Sequence, residues 1–139
     1  VEHGHGTERS LLDLLNAAAI SPHAESPREF ARIPISAISD DSRRVHPGTC
    51  FVAVPGTRLN GRAFIDDAVR RGASAIVGED VRAVPPGVGA VRVIDARSAL
   101  ARLSAAYFGF GPGQPHSDMQ LIGVTGTNGK STVCILLQS

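Results

Sequence analysis

The stretch Leu121-Ile122-Gly123-Val124-Thr125-Gly126-Thr127-Asn128-Gly129-Lys130-Ser131-Thr132 passes from an apolar strand into a glycine-rich turn, then to a lysine and two hydroxyls. Backbone N–H groups in such a turn, leading into a helix N-terminus, make a concave anion site with a favourable dipole. Lys130 is the single lysine among 14 basic residues. It can reach the β- and γ-phosphates of a nucleotide, while Ser131 or Thr132 helps to hold Mg²⁺. The general phosphate-loop pattern would need glycine at 124, where this chain has valine; Gly123 is one residue early and Gly126 makes a tighter form. A surface turn of small polar residues is the plain alternative. The strand in front, the hydroxyl pair and the apolar run Val133 to Leu137 behind favour a nucleotide's phosphates, with Gly126, Thr127, Asn128, Gly129, Lys130, Ser131 and Thr132 as their site.

Other chemistry-bearing residues read as structural. Asp66 and Asp67 could pair for acid–base work, but they fall on the polar side of an amphipathic pattern, which implies a solvated face. His46 beside Pro47 reads as a turn residue. His3 and His5 lie among glycines with no further ligand nearby, which argues for a disordered or appended tail over residues 1–7 rather than a metal site. Cys50 and Cys134 lack metal-ligand spacing and cannot form a disulfide framework; Cys50, inside an apolar run, reads as a buried thiol.

The elements that must position these groups alternate between strand and helix. Ser10 and Asp13 have capping-box spacing, and Leu11, Leu12, Leu14, Leu15 and Ala18 follow as a helical stripe that Ser21-Pro22 should end. Pro22 to Arg28 reads as a loop. Ile33, Ile35 and Ala37 alternate, predicting one strand over 34–39. The polar turn Asp40 to Gly48 precedes Cys50 to Val54, a continuous apolar strand of the kind buried on both faces. Pro55 to Gly61 is a second polar loop. Phe64, Ile65, Ala68 and Val69 make one face of a helix stopped by Gly72. Strands over 74–77 and 91–94 and a helix from Ala96 to about Phe108, with Ala96, Leu100, Leu103 and Tyr107 on one face, complete an α/β pattern over residues 8–110. Residues 111–118, rich in glycine and proline, read as a linker, and 119–139 as the start of a second domain.

At 139 residues the chain holds one domain with its own core, not two full ones. Hydrophobic content of 42% and charged content of 19% suit a folded soluble chain. A net charge of +1 makes no electrostatic case for nucleic acid or an anionic membrane. No apolar run approaches the roughly 18 residues of a membrane span, so no membrane insertion is expected and cytoplasm is the default.

The loop from Gly123 to Thr132 resembles the ATP loop of the Mur ligases, whose own form is the tightened one. A second, independent match lies upstream. Asp41-Ser42-Arg43, Val45, Pro47-Gly48, Phe51-Val52-Ala53, Gly56, Gly61, Phe64-Ile65, Ala68 and Gly72-Ala73 resemble the N-terminal domain of the MurE type. MurF-type enzymes share much of this pattern, but usually carry serine at the position of Thr127. The resemblance covers about residues 8–139, with MurF-type or cyanophycin-synthetase-like ligases as runners-up.

The resemblance implies a fold and a function. Residues 8–110 would be a small domain with a β-sheet flanked by helices, binding the UDP end of UDP-N-acetylmuramoyl-L-Ala-D-Glu (UDP-MurNAc-L-Ala-D-Glu). Residues 119–139 would be the first strand and phosphate loop of a truncated P-loop ATPase domain. The parent enzyme would use ATP and Mg²⁺ to activate the substrate's carboxylate as an acyl phosphate. The amine of diaminopimelate or lysine would then attack it, with Lys130 catalytic and Ser131 a Mg²⁺ ligand. The substrate contacts implied are Asp40, Ser42 and Arg43 in one turn, and Thr57, Arg58 and Leu59 in the loop after the next strand. The two loops share a sheet end if those strands are parallel. Asn60 stands where the family usually has aspartate. The isolated chain is expected to be monomeric and inactive as a ligase, with residues after about 110 disordered or strand-paired with another chain. A free-standing, non-catalytic UDP-sugar-binding module is the reading from a different class.

Overall fold

The computed structural model of the chain describes residues 8–21, 27–56 and 61–110. The expectations placed on residues 1–7, 57–60 and 111–139, including the whole candidate ATP loop, lie outside the described residues.

The chain opens with β1 (Arg9–Ser10) and helix α1 (Leu11–Ala17). Ser10 caps α1 from extended backbone, its hydroxyl accepting the Asp13 N–H at 3.1 Å and donating to Asp13 Oδ2 at 2.7 Å. Asp13 is one methylene shorter than the glutamate of a full capping box, and it takes the hydroxyl proton of the cap residue. α1 stops at Ala17, before the expected Ser21-Pro22. Ala19 turns into the left-handed region (φ 53°), and the Ile20 N–H bonds back to the Leu15 carbonyl, which tucks Ile20 into the core. A second correction follows at Arg28, which is helical rather than loop: α2 spans Pro27–Phe30. Proline suits a first helical position because its missing N–H would have no partner there. Phe30 anchors this turn in the core.

The single strand expected over 34–39 is two: β2 (Pro34–Ile35) and β3 (Ala37–Ser39). β2 pairs antiparallel with β1, and β3 pairs parallel with β4 (Thr49–Ala53). The break is at Ser36, whose N–H donates to the Gly48 carbonyl and whose own carbonyl accepts the Tyr107 hydroxyl. Both backbone groups are taken by distant partners, so no ladder runs through this residue.

The main sheet runs β3-β4-β5-β6, entirely parallel, with β5 at Ala75–Gly78 and β6 at Gly89–Arg92. Helix α3 (Gly61–Arg70) crosses from β4 to β5, and α4 (Ala96–Tyr107) follows β6. Alternate residues of β4 serve the two faces, as the strand period dictates. Cys50 and Val52 pack with α1 and α4, while Phe51 packs with Ala68 of α3 and with Ile76. Every residue of β4 is buried, as its apolar run implied.

β6 begins and ends two residues earlier than expected. The Val93 N–H makes a closing bond to the Gly78 carbonyl, and Ile94 is 90% exposed. Asp95 then caps α4 by accepting the Ser98 N–H at 2.9 Å, and Glu79 Oε1 accepts the Ala96 N–H at 3.0 Å. The buried face of α4 is Ala96, Ala99, Leu103 and Ala106, with the expected Leu100 and Tyr107 at its margins. Gly72, at φ 92°, ends α3 as its position suggested. No helix among the described residues is long and apolar enough to cross a membrane.

Candidate functional site

β3 and β4 are adjacent and parallel, with Ser39 opposite Phe51. The segments that leave Ser39 and Ala53 therefore emerge at one end of the sheet, the end at which open α/β sheets bind ligands. This meets the condition set on the two candidate loops. The first is described in full; Thr57, Arg58, Leu59 and Asn60 of the second lie outside the described residues.

The first loop is a built turn. Ser39 Oγ accepts the Asp41 N–H and donates to the Asp41 carbonyl, both at 3.1 Å. Asp41 caps a 3₁₀ turn over Ser42–Arg44 by accepting the Arg43 N–H at 3.0 Å. The Arg43 guanidinium closes a fork on the same carboxylate, Nε to Oδ1 at 2.9 Å and Nη2 to Oδ2 at 2.8 Å. These side-chain bonds, with the Arg43 backbone N–H, bring the Asp41 carboxyl down to about 2, and Asp41 in turn raises the Arg43 guanidinium.

The site residues of this turn are placed unequally. Asp40 is exposed at the mouth of the loop. Arg43 is also exposed, but its fork is spent on Asp41 rather than left free for a diphosphate. An exposed pair of this kind contributes little stability, so an incoming anion displaces it at small cost. Arg44 is exposed beside it. Ser42 is only 4% exposed, because the 3₁₀ turn packs against α3.

On that side of α3 Asp67 is half-buried, and Asp66 is exposed as expected of a solvated face. The hydrogen bond from the Ser42 hydroxyl is the main cause that lowers the Asp67 carboxyl, and Arg71 adds to it. Arg71 Nε donates to Asp67 Oδ2 at 3.0 Å, with Arg70 Nη2 at 3.7 Å from Oδ1. Sequence reasoning missed this contact: helical periodicity puts Asp67 on the polar side of α3, but only packing shows what faces that side. Phe64, one turn earlier on α3 and expected on its apolar face, is 38% exposed.

Elsewhere the chemistry-bearing residues are quiet. Cys50 is fully buried, and burial pushes its thiol up to about 12, so it is no nucleophile. His46 sits at the opposite, N-terminal end of β4, its N–H donating to Thr49 Oγ1 and its ring Nδ1 3.0 Å from the Pro47 carbonyl. A cavity of about 300 Å³ lies on the far side of the sheet, lined by Ile20, Arg92, Val93, Asp95, Ser98 and Arg102 among others. Among the described residues no group of three His, Cys, Asp or Glu is placed to hold a metal.

Comparison with known proteins adds to this geometry. Residues 34–108 match the family model described as "Mur ligase family, catalytic domain", a span that ends before the glycine-rich loop. The chain is 41% identical over 113 residues to UDP-N-acetylmuramoyl-L-alanyl-D-glutamate–2,6-diaminopimelate ligase of Gloeobacter violaceus, covering 81% of this chain and 22% of the relative. It is 45% identical over 130 residues to the ligase of the same name from Chlorobium phaeobacteroides, covering 92% of this chain and 24% of the relative. The chain thus spans about a quarter or less of these relatives' length. Among solved structures, a crystal structure of MurF from Acinetobacter baumannii superposes with a TM-score of 0.56 at 25% identity, over 71% of this chain and 21% of that one. A structure of UDP-N-acetylmuramoylalanyl-D-glutamyl-2,6-diaminopimelate–D-alanyl-D-alanyl ligase from the same organism gives 0.53 at 22% identity over 76% and 22%, a likeness of fold alone. With its parallel sheet, its Asp-Ser-Arg turn at the C-terminal end of β3 and these relatives, the chain belongs to the Mur ligase family and is of its MurE type.

Proposed function

We propose that residues 8–110 hold the UDP end of UDP-MurNAc-L-Ala-D-Glu, and that the whole protein joins 2,6-diaminopimelate to that substrate in cytoplasmic peptidoglycan synthesis. The observation that carries the reading is the parallel pairing of β3 with β4, which sends the Asp40–Arg43 turn and the segment after Ala53 to one sheet end. The diaminopimelate ligases to which the chain is similar support the choice of reaction.

In this reading Asp40, Ser42 and Arg43 contact the nucleotide, joined by Thr57, Arg58 and Leu59. The exposed Asp40 carboxylate accepts hydrogen bonds from base or ribose, and cations of the turn meet the diphosphate. ATP with Mg²⁺ supplies the phosphoryl group that activates the acceptor carboxylate. The residues that would hold it are Gly126, Thr127, Asn128, Gly129, Lys130, Ser131 and Thr132. Lys130 and the loop amides would bind phosphate oxygens, and Ser131 would face the cation.

Calorimetric titration with UDP tests the substrate assignment. Saturable binding is expected, weakened about fivefold to tenfold by Ser42→Ala, the usual worth of one lost hydrogen bond. Absence of binding, or a Ser42→Ala variant that binds like the parent, removes the assignment.

A further inference from the structure

We propose that the cavity of about 300 Å³ at the end of β6 binds a small organic anion, a carboxylate on an aliphatic body, through Arg92 and Arg102. It is a second site, independent of the nucleotide reading. β3, which leads into the Asp40–Arg43 turn, and β6 form opposite edges of the sheet. Three strand spacings of about 4.8 Å put roughly 14 Å between them.

Two parts of the chain build the walls. β6 runs out at Arg92, and Val93, Ile94 and Asp95 lead from it into α4, which brings Ser98 and Arg102. Against them stands the end of α1, where left-handed Ala19 lets the Ile20 N–H bond back to the Leu15 carbonyl. That reversal puts Ala19 and Ile20 at the cavity. Two guanidiniums set its charge. Arg92 Nε donates to the Glu79 carbonyl at 3.1 Å, and Arg102 Nη1 reaches the Ala19 carbonyl at 3.4 Å. Both acceptors are neutral, and among the described residues neither guanidinium forms an ion pair with a carboxylate. Asp95, the one carboxylate of the lining, already accepts the Ser98 N–H. Two cations against one anion leave one positive charge over, which a single carboxylate balances. Each guanidinium keeps further N–H donors for it, in the fork geometry that carboxylates match. The α4 N-terminus is not the attraction, because Glu79 and Asp95 already take its Ala96 and Ser98 amides. The rest of the lining suits an apolar body. Ile20, Val93 and Ala99 belong to the core packing, and Ile94 is 90% exposed. An aliphatic group laid over them removes that apolar area from water. The volume lies at the small end for ligand sites, which fits a body of about five carbons.

The test titrates isocaproate into the isotope-labelled 139-residue chain and follows amide shifts by NMR. Saturating shifts are expected at Ile20, Ile94, Asp95 and Ser98, with a Kd on the order of 1 mM for so small a ligand. Isocaproamide has the same body without the charge, and acetate has the charge without the body. Each is expected to bind at least about fivefold more weakly than isocaproate. Arg92→Gln and Arg102→Gln remove one charge apiece; each is expected to weaken isocaproate about fivefold and to leave isocaproamide unchanged. Both side chains are exposed, so the variants should fold, and melts followed by circular dichroism check this. Should a variant melt early, its isocaproamide titration separates lost charge from lost shape, because a damaged cavity weakens acid and amide alike.

Three results overturn the inference. No saturable shift by about 10 mM isocaproate means that the cavity takes no such ligand. Equal affinity for acid and amide in the parent, or for isocaproate in the parent and both glutamine variants, means that the arginines have no part. Shifts centred on the Asp41–Arg44 amides put the anion on the other edge of the sheet. Whether the chain binds UDP does not bear on these results, since the two sites share no residue.

Discussion

Asp41 shows how much one carboxylate can organise. It caps the 3₁₀ turn and receives both arms of the Arg43 fork, and it is held at about 2 in the folded chain against an ordinary 3.8. A folded value below the unfolded one means that the folded state binds the proton less readily. The stabilisation is thus complete above about pH 4 and is lost as pH falls toward 2. Asp67, lowered in the same direction, adds to the same trend. Urea melts of the parent are expected to show a falling midpoint over that window. In Asp41→Asn the fall should be shallower; an identical slope would mean that the carboxylate does not titrate differently on folding. The polar turn from Asp40 to Gly48 was legible in the sequence as a run of short polar residues ending in Pro47-Gly48. The partner of Ser42 was not, because Asp67 comes from another element.

Elements met expectation where their determinants are local. Ser10 caps α1 as its spacing to Asp13 implied, and Gly72 stops α3 with the backbone only glycine adopts freely. The single strand expected over 34–39 failed for a non-local reason: Ser36 gives its N–H to Gly48 and its carbonyl to Tyr107. Gly48 is the hinge of that arrangement. Its φ is 92°, and a Cβ there would run into the Ser36 hydroxyl. Gly48→Ala is therefore expected to cost more than about 1 kcal/mol, since alanine is strained at positive φ and must also displace Ser36. Chemical denaturation measures it; an unchanged midpoint would show that the turn relaxes freely.

At the scale of the molecule, stability and site share the same strand. β4 is buried on both faces, and Phe51 from it joins Ala68 of α3 to Ile76 of β5. Phe51→Ala should destabilise the chain by about 3–5 kcal/mol, the usual range for losing a buried aromatic and leaving its cavity. Because α3 carries Asp67, the loss is also expected to loosen the 3₁₀ turn against which α3 packs. Equilibrium unfolding by urea reads the first effect and hydrogen exchange at the Arg43 and Arg44 amides the second. A loss below about 1 kcal/mol would place the weight of this face elsewhere. The α/β class was legible from the alternation of apolar strands with amphipathic helices. The order β3-β4-β5-β6, and hence which loops share an end, was only a condition in the sequence reading.

The sequence by itself determined the family, the Ser10 cap, the buried central strand and the existence of a polar turn after β3. Each of these rests on residues within a few positions of one another, or on short motifs whose spacing carries the physics. Only the tertiary structure decided that one apolar alternation is shared by two sheets, and that α3 packs against the Ser42–Arg44 turn. Those contacts join residues far apart along the chain, and they exist only once the parallel sheet has put both elements side by side.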